Sequence, residues 1–207
     1  MKRLRVSPTK STLLDLERRV AFLLQGEEML ERKRDLLTRL VHERLDECER
    51  RRQHSHAALQ EAYKWLTIAE LRMGSDLLRQ VSVGLEPAIS ARIIPKSSVG
   101  VEYPSVCVEK RRLQPVGLMW TDASLDEARR RLAEVIVHLG RLADVEIALW
   151  RLIAEQRKTQ KRVNALKFNV IPSYRETIRM IRAALEEEER NSVFQMRLLR
   201  EKGPEQR

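Results

Sequence analysis

Leucine recurs at intervals of seven at positions 16, 23, 30 and 37, interleaved with Leu13, Val20, Glu27, Arg34 and Val41. This alternation of three and four is a coiled-coil seam, in which each apolar side chain enters a hole on a facing helix. A chain built this way must form a long helix and must find that helix a partner. After Val41 the stripe slips by one residue and resumes as Leu45, Cys48, Arg52, Ser55, Leu59, Ala62, Leu66, Ala69 and Met73. The slip is expected, because a straight helix drifts by ~20° per heptad against a 3.5-residue repeat. Pro8-Thr9-Lys10-Ser11 precedes the stripe, so Thr9 or Ser11 can cap the helix. Taken from Thr9 to Met73 at ~1.5 Å per residue, the helix would be about 100 Å long, ending between Met73 and Leu78.

Helix breakers are placed unevenly. Pro87, Pro95, Pro104 and Pro115 fall between Gly84 and Gly117, with Gly100 among them. Outside that stretch the chain is nearly free of proline and glycine. Three regions follow: an N-terminal helix over 1–78, an irregular middle over 79–121, and a C-terminal helix over 122–207. The middle holds a partly alternating Ile89-Ser90-Ala91-Arg92-Ile93 and a β-branched Val106-Cys107-Val108, with Pro95, Gly100 and Pro104 between them. This predicts a small β-hairpin.

The C-terminal helix starts near Asp122, Ser124 or Leu125. Its stripe runs Leu125, Ala128, Leu132, Val135, Leu139, Leu142, Glu146, Leu149, Ile153, Gln156, Gln160 and Val163. It continues as Leu166, Val170 and Tyr174, with Ile171, Ile178, Ile181 and Leu185 on the neighbouring row, towards Phe194, Leu198 and Leu199 near Gly203. Pro172 lies inside the pattern, where its missing N–H and its ring predict a kink. The fold class is therefore all-α: a long antiparallel two-helix coiled coil whose irregular middle contains a short β-hairpin. Reversal near residues 74–124 makes partner numbers add to about 200, placing Leu16 near Ile181 and Leu23 near Tyr174 or Ile178. The shaft seam so defined comprises Leu16, Leu23, Leu30, Leu37, Leu166, Val170, Tyr174, Ile178, Ile181 and Leu185.

Composition agrees. Charged residues make up 34% of the chain and aromatics 4%, against ~25% charged in an average globular chain. The 43% hydrophobic content is too high for simple disorder, and turn signals are too sparse for a β-sandwich. Cys48 and Cys107 match no metal spacing and fit a reducing compartment. The basic start Met1-Lys2-Arg3-Leu4-Arg5 has no apolar segment after it, and no apolar run reaches the ~18 residues of a membrane span. These features predict a cytosolic or membrane-peripheral protein.

No constellation of residues points to catalysis, a cofactor or a metal. The chain has no phosphate-binding loop and no dinucleotide-binding turn. His54 and His56, two apart, face different sides of a helix, and His42 and His138 stand alone. Glu186-Glu187-Glu188-Glu189 fan around a helix axis and do not converge. The net charge of +10 is compatible with nucleic acid, an anionic surface or an acidic protein partner. Arg50-Arg51-Arg52 and Arg129-Arg130-Arg131 are flanked by carboxylates and lack an aromatic platform, which favours a salt-bridged helix surface over nucleic acid. Glu27 and Arg34 sit at seam positions, either snorkelling to solvent or pinning register. From the residues alone, a generic antiparallel coiled-coil scaffold and a basic nucleic-acid-binding helical hairpin remain open.

A resemblance narrows this. Arg162-Val163-Asn164-Ala165-Leu166, Val170-Ile171-Pro172, Thr177-Ile178, Ile181 and Leu185-Glu186-Glu187-Glu188-Glu189-Arg190 resemble the pattern of the D subunit of V-type and A-type rotary ATPases. Val6-Ser7-Pro8-Thr9-Lys10-Ser11, Leu13-Leu14 and Lys33-Arg34-Asp35-Leu36-Leu37 are similar to that family's opening helix. Leu113-Gln114-Pro115-Val116-Gly117 matches more loosely, and the likeness is weakest between Arg79 and Trp120. The family pattern places Glu after Asn-Ala-Leu; here Lys167 stands there, which changes one local ion pair. The resemblance implies a non-catalytic component of the central stalk without cofactors, cytoplasmic and peripheral to the membrane as part of the soluble ATPase sector. Its implied partners are the A and B subunits of the catalytic ring, the small F subunit of the stalk and a membrane-rotor adaptor of C or d type. Neither nucleic acid nor direct membrane insertion is implied. The implied role is torque transmission between the ATP-hydrolysing or ATP-synthesising hexameric ring and the membrane ion-translocating rotor.

Overall fold

The computed structural model describes residues 6–116 and 121–202. In chain order it contains helix α1 (Lys10–Met73), helix α2 (Ser75–Val83), strands β1 (Ile89–Ser98) and β2 (Val101–Lys110), helix α3 (Ala123–Ala165), a π-helical turn (Leu166–Val170) and helix α4 (Ile171–Lys202). The fold is all-α, with long helices and one small antiparallel sheet of two strands. The readings placed on Met1–Arg5, Gly117, Trp120 and Gly203 lie outside the described residues. The chain divides into two compact units: Met1–Asp35 with Arg157–Arg207, and Leu36–Gln156.

In the first unit, α1 begins behind Thr9, whose hydroxyl accepts the Thr12 backbone N–H at 3.2 Å. That bond satisfies one of the free donors of the first turn. Three ion pairs join α1 to the C-terminal helical segments: Lys10–Glu189 at 2.8 Å, Glu17–Arg182, and Glu31–Lys167 at 3.2 Å. Partner numbers add to 198 or 199 in each, so the pairing is antiparallel and close to the register the stripes predict. Lys167, the departure from the family pattern, is therefore matched across the pair by Glu31.

In the second unit the buried face of α1 changes character. Cys48, Ser55, Ala62 and Ala69 follow one another at sevens, and each is buried. Small side chains let α3 approach closely. Cys48 packs with Val145 and Leu149 of α3, and Arg52 reaches Glu146 at 2.7 Å. The hydroxyl of Ser55 is buried with no hydrogen-bond partner, which costs stability without adding a contact. α1 ends at Met73, and Gly74, at φ 82°, turns the chain into α2.

The hairpin is longer than the alternating stretches suggested. Pro95 and Pro104 lie inside the strands, directly opposite each other. A two-stranded ribbon has two free edges, so prolines whose missing N–H faces outward cost no ladder bond. The turn is Val99-Gly100, with φ 51° and 73°. Positive φ at both central residues is the pattern of a type I′ turn; glycine adopts it freely and β-branched Val99 does not.

β2 lies along α3 in the opposite direction. Lys110 meets Glu134 at 3.8 Å, Val108 sits against Gly140, the Val106 N–H donates to Asp144 at 3.2 Å, and Val101 clusters with Leu152 and Leu37. A Cβ built on Gly140 would stand 2.3 Å from Val108 Cγ2. Valine is stiff about χ1, so it cannot swing clear.

This contact yields a sign-changing prediction. Gly140→Ala should lower stability by about 1–3 kcal/mol through overpacking. In a Val108→Ala background the same change should raise it by ~0.5–1 kcal/mol, the ordinary gain of alanine over glycine in a helix. Urea midpoints of the four proteins check this, and equal effects in both backgrounds would contradict the contact.

Candidate functional site

Among the described residues, no three or more His, Cys, Asp or Glu side chains are grouped to hold a metal ion. Cys48 is buried, and its thiol is pushed up from its usual range, first by burial and then by Glu146. Such a thiol packs and does not react. The surfaces of the two units carry the informative features.

The ten seam residues fall as follows. Leu16 and Ile181 are buried in the first unit, with Ile181 fully so. Leu23, Leu30, Leu166, Val170, Tyr174, Ile178 and Leu185, also in that unit, are half-buried. Leu37 is fully buried but belongs to the second unit, where it clusters with Val101 and Leu152. Leu166 and Val170 are the two ends of the π-helical turn. Of the charged residues at seam positions, Glu27 is half-buried and Arg34 turns two donors onto Asp35, at 2.8 and 2.9 Å.

Several buried residues were not on the predicted stripes. Val145, Ala148 and Leu152 of α3 are buried because α1 and β2 both cover that helix. The sequence held a signal for the second cover. Ala133, Gly140 and Ala148 mark a row of small residues on α3, where a strand can lie close.

The exposed end of α4 is unusual. Lys10, the first residue of α1, pairs with Glu189, and α4 runs on to Lys202. Residues 190–202 thus continue past the start of α1 for about 20 Å at ~1.5 Å per residue. Val193, Phe194, Met196, Leu198 and Leu199 on this stretch are 39–72% exposed. At 100° per residue these five side chains point all round the axis and do not form a stripe.

Charge is divided unequally. The first unit holds 22 of the 40 Lys and Arg but 13 of the 30 Asp and Glu; the second holds 18 and 17. Nine of the ten net positive charges therefore belong to the first unit. There, an open groove of about 600 Å³ has Arg175, Arg179 and Arg182 among its lining residues, with Glu17 and Glu186 beside them.

The family model for the ATP synthase D subunit matches residues 12–201. The chain belongs to that family. It is 33% identical over 198 residues to the V-type ATP synthase D subunit of Thermotoga neapolitana, covering 95% of this chain and 98% of that one. It is 31% identical over 201 residues to the A-type ATP synthase D subunit of Pyrococcus furiosus, covering 95% and 94%. The A-type ATP synthase D subunit of Methanobrevibacter smithii is 31% identical over 199 residues, covering 94% and 86%. Among the described residues no helix is long and apolar enough to cross a membrane.

The strongest electrostatic feature of this family member's second unit is at the start of α3. Asp122 accepts the Ser124 hydroxyl at 2.7 Å and the Arg72 guanidinium at 2.9 Å. The Ser124 bond first, and the Arg72 bond next, lower the carboxyl from 3.8 to about 2. A lowered folded-state value means the stabilisation is present above the unfolded value and is lost as pH falls through the folded one. Asn at this position would keep a capping oxygen but lose the charge. The stability advantage of wild type over Asp122→Asn, measured by urea midpoint, should be full near pH ~5, mostly lost by pH ~2 and gone near pH ~1. A pH-independent gap would contradict the charge argument.

Proposed function

We propose that this chain is the central-stalk shaft of a V/A-type ATPase or ATP synthase, non-catalytic itself. It transmits torque between the hexameric ring of A and B subunits and the ion-translocating membrane rotor. The small F subunit of the stalk and a rotor adaptor of C or d type join it, and it works in the cytoplasm at the membrane periphery. The observation that carries this reading is the bare end of α4. Five exposed apolar side chains spread around a helix axis can all be covered only from several sides, and Val193, Phe194, Met196, Leu198 and Leu199, beyond the start of α1, are such a set among polar neighbours. An encircling sleeve of other subunits suits that end; a flat docking site would cover one side only. Family membership over residues 12–201 supports the same role.

The mechanics are physically reasonable. Two antiparallel helices give length with internally satisfied backbones, and an interdigitated seam resists sliding. The helices are unlike, so the shaft presents a different surface in each direction, which is what unequal contact with a ring of repeated subunits requires. The excess positive charge of the first unit suits acidic segments on the ring's inner wall, and the groove holding Arg175, Arg179 and Arg182 offers one place for them.

Affinity capture of the tagged chain from gently solubilised membranes of its source, with nuclease added, tests the assignment. Recovery of A and B subunits with one copy of this chain per hexamer is expected; recovery of the chain alone or with itself would overturn it. Association with the ring should weaken about tenfold between ~50 mM and ~500 mM salt, since exposed charge attraction is screened. Salt-insensitive association would remove the electrostatic part of the reading. Ending the chain after Glu189 keeps the Lys10 partner but removes the bare helix end. The truncated chain should fold with unchanged helicity per residue, while ATP-driven ion pumping by the reconstituted complex falls several-fold; unaltered pumping would show that the end is dispensable.

A further inference from the structure

α3 and α4 are joined by no loop. The five residues Leu166–Val170 are wound as a π-helix, and the Ile171 N–H donates to the Leu166 carbonyl, five residues back. A π turn holds one residue more than the α turn it replaces. Every later side chain is therefore rotated by about 100° from where an uninterrupted α-helix would put it.

Both sides of the turn reach the seam. Val163 is 1% exposed. Continuing the three-four spacing from Val163 and Leu166 would place 170, 173, 177, 180 and 184 in the seam. The residues that follow include Val170 and Thr177 of that row together with Ile171, Tyr174, Ile178, Ile181 and Leu185, each of these five one position later. Ile171 is 3% exposed and Ile181 is fully buried. Thr177, of the earlier row, is as fully buried as Ile181.

The chemistry of the next turn fixes the place. Pro172 has no N–H to give the Phe168 carbonyl, and its ring crowds that carbonyl. A widened turn relieves both. Ser173 donates its hydroxyl to the Asn169 carbonyl at 2.6 Å, and Thr177 donates to the Ser173 carbonyl at 2.8 Å. Hydroxyls bonded four residues back loosen a helix. Lys167, Phe168 and Asn169 are exposed, so the middle of this turn is held by little beyond the Lys167–Glu31 pair.

We propose that Leu166–Val170, pinned by Pro172, is a conformational device: a one-residue splice in helical phase, at which the first unit opens first and about which the C-terminal segment can twist. The device goes beyond the rotor reading and does not rest on it, since it is tested on the isolated full-length chain.

The parent carries Cys48→Ser, Cys107→Ser, Glu17→Cys and Arg182→Cys, so that oxidation reports the phase of α4 against α1. In hydrogen exchange, the amides of residues 169–171 and 173 should exchange at least ~tenfold faster than those of 160–163 and 178–181. Deleting Phe168 should abolish that difference and keep the crosslink, because it removes the inserted residue and leaves the seam in phase. Pro172→Ala should also keep the crosslink, but fast exchange should spread beyond 169–173 because nothing pins the extra residue. Uniform protection in the parent would overturn the device. So would loss of the crosslink on deletion, or exchange that stays confined in Pro172→Ala.

Discussion

A pair of helices stays packed only while both keep their apolar faces in phase, and the α-helix makes this hard. Its 3.6 residues per turn do not match a 3.5-residue seam, and the mismatch grows with length. Most of the local structure described here answers that constraint. Within the second unit, α1 steps eleven residues from buried Leu37 to buried Cys48 and then returns to sevens at Ser55, Ala62 and Ala69. An eleven-residue step corresponds to 3.67 residues per turn, which corrects the drift without leaving the α-helix. Within the first unit, α1 keeps its sevens unbroken from Leu16 to Leu30, and the opposite helix carries one extra residue in its π turn.

The two arrangements suit different surroundings. In the second unit, α3 is covered both by α1 and by β2, so its buried arc is wide. A change of phase there is absorbed by small residues, with Gly140 the extreme case. Among the described residues of the first unit the helices have only each other, and a single narrow seam cannot absorb a rotated face. The extra residue must be accommodated within one turn, and Pro172 decides which turn by removing a donor.

Much of this was legible in the residues. Leu16, Leu23 and Leu30 announced the first helix, the crowding of proline between 84 and 117 announced the reversal, and Asn164-Ala165-Leu166 with Val170-Ile171-Pro172 announced the family. The π turn was written there too, as the run of fours Leu166, Val170, Tyr174, Ile178, where a seam alternates threes and fours. Read as a stripe with a proline in it, that run suggests only a kink. The strand limits were harder to see, because Pro95 and Pro104 look like breakers until each is found opposite the other. The contact of Val108 with Gly140 joins residues 32 apart in the chain and leaves no local pattern. The bare end of α4 was visible as Phe194, Leu198 and Leu199, but where α1 stops relative to it depends on register.

Register is where the weak ion pairs of the first unit matter. Each is solvent-exposed, and such pairs contribute only ~0.2–1 kcal/mol, so they do not hold the helices together. They do discriminate between alternatives the seam tolerates. The apolar pattern repeats every seven, so the cheapest error is a slip of one heptad. A slip in one direction would set Lys10 against Arg182, with Glu17 meeting Arg175 in partial compensation; the same slip in the other would set Glu17 against Glu189 and Lys10 against Met196, with Glu31 meeting Arg175 in partial compensation. Each exchanges an attraction for a repulsion at a position where the leucines are indifferent. The seam thus supplies the energy of pairing, and the charges, individually minor, bias the pair against the neighbouring registers. For a helix pair whose bare end must stand at a fixed distance beyond Lys10, that bias is what makes the length of the protruding segment definite.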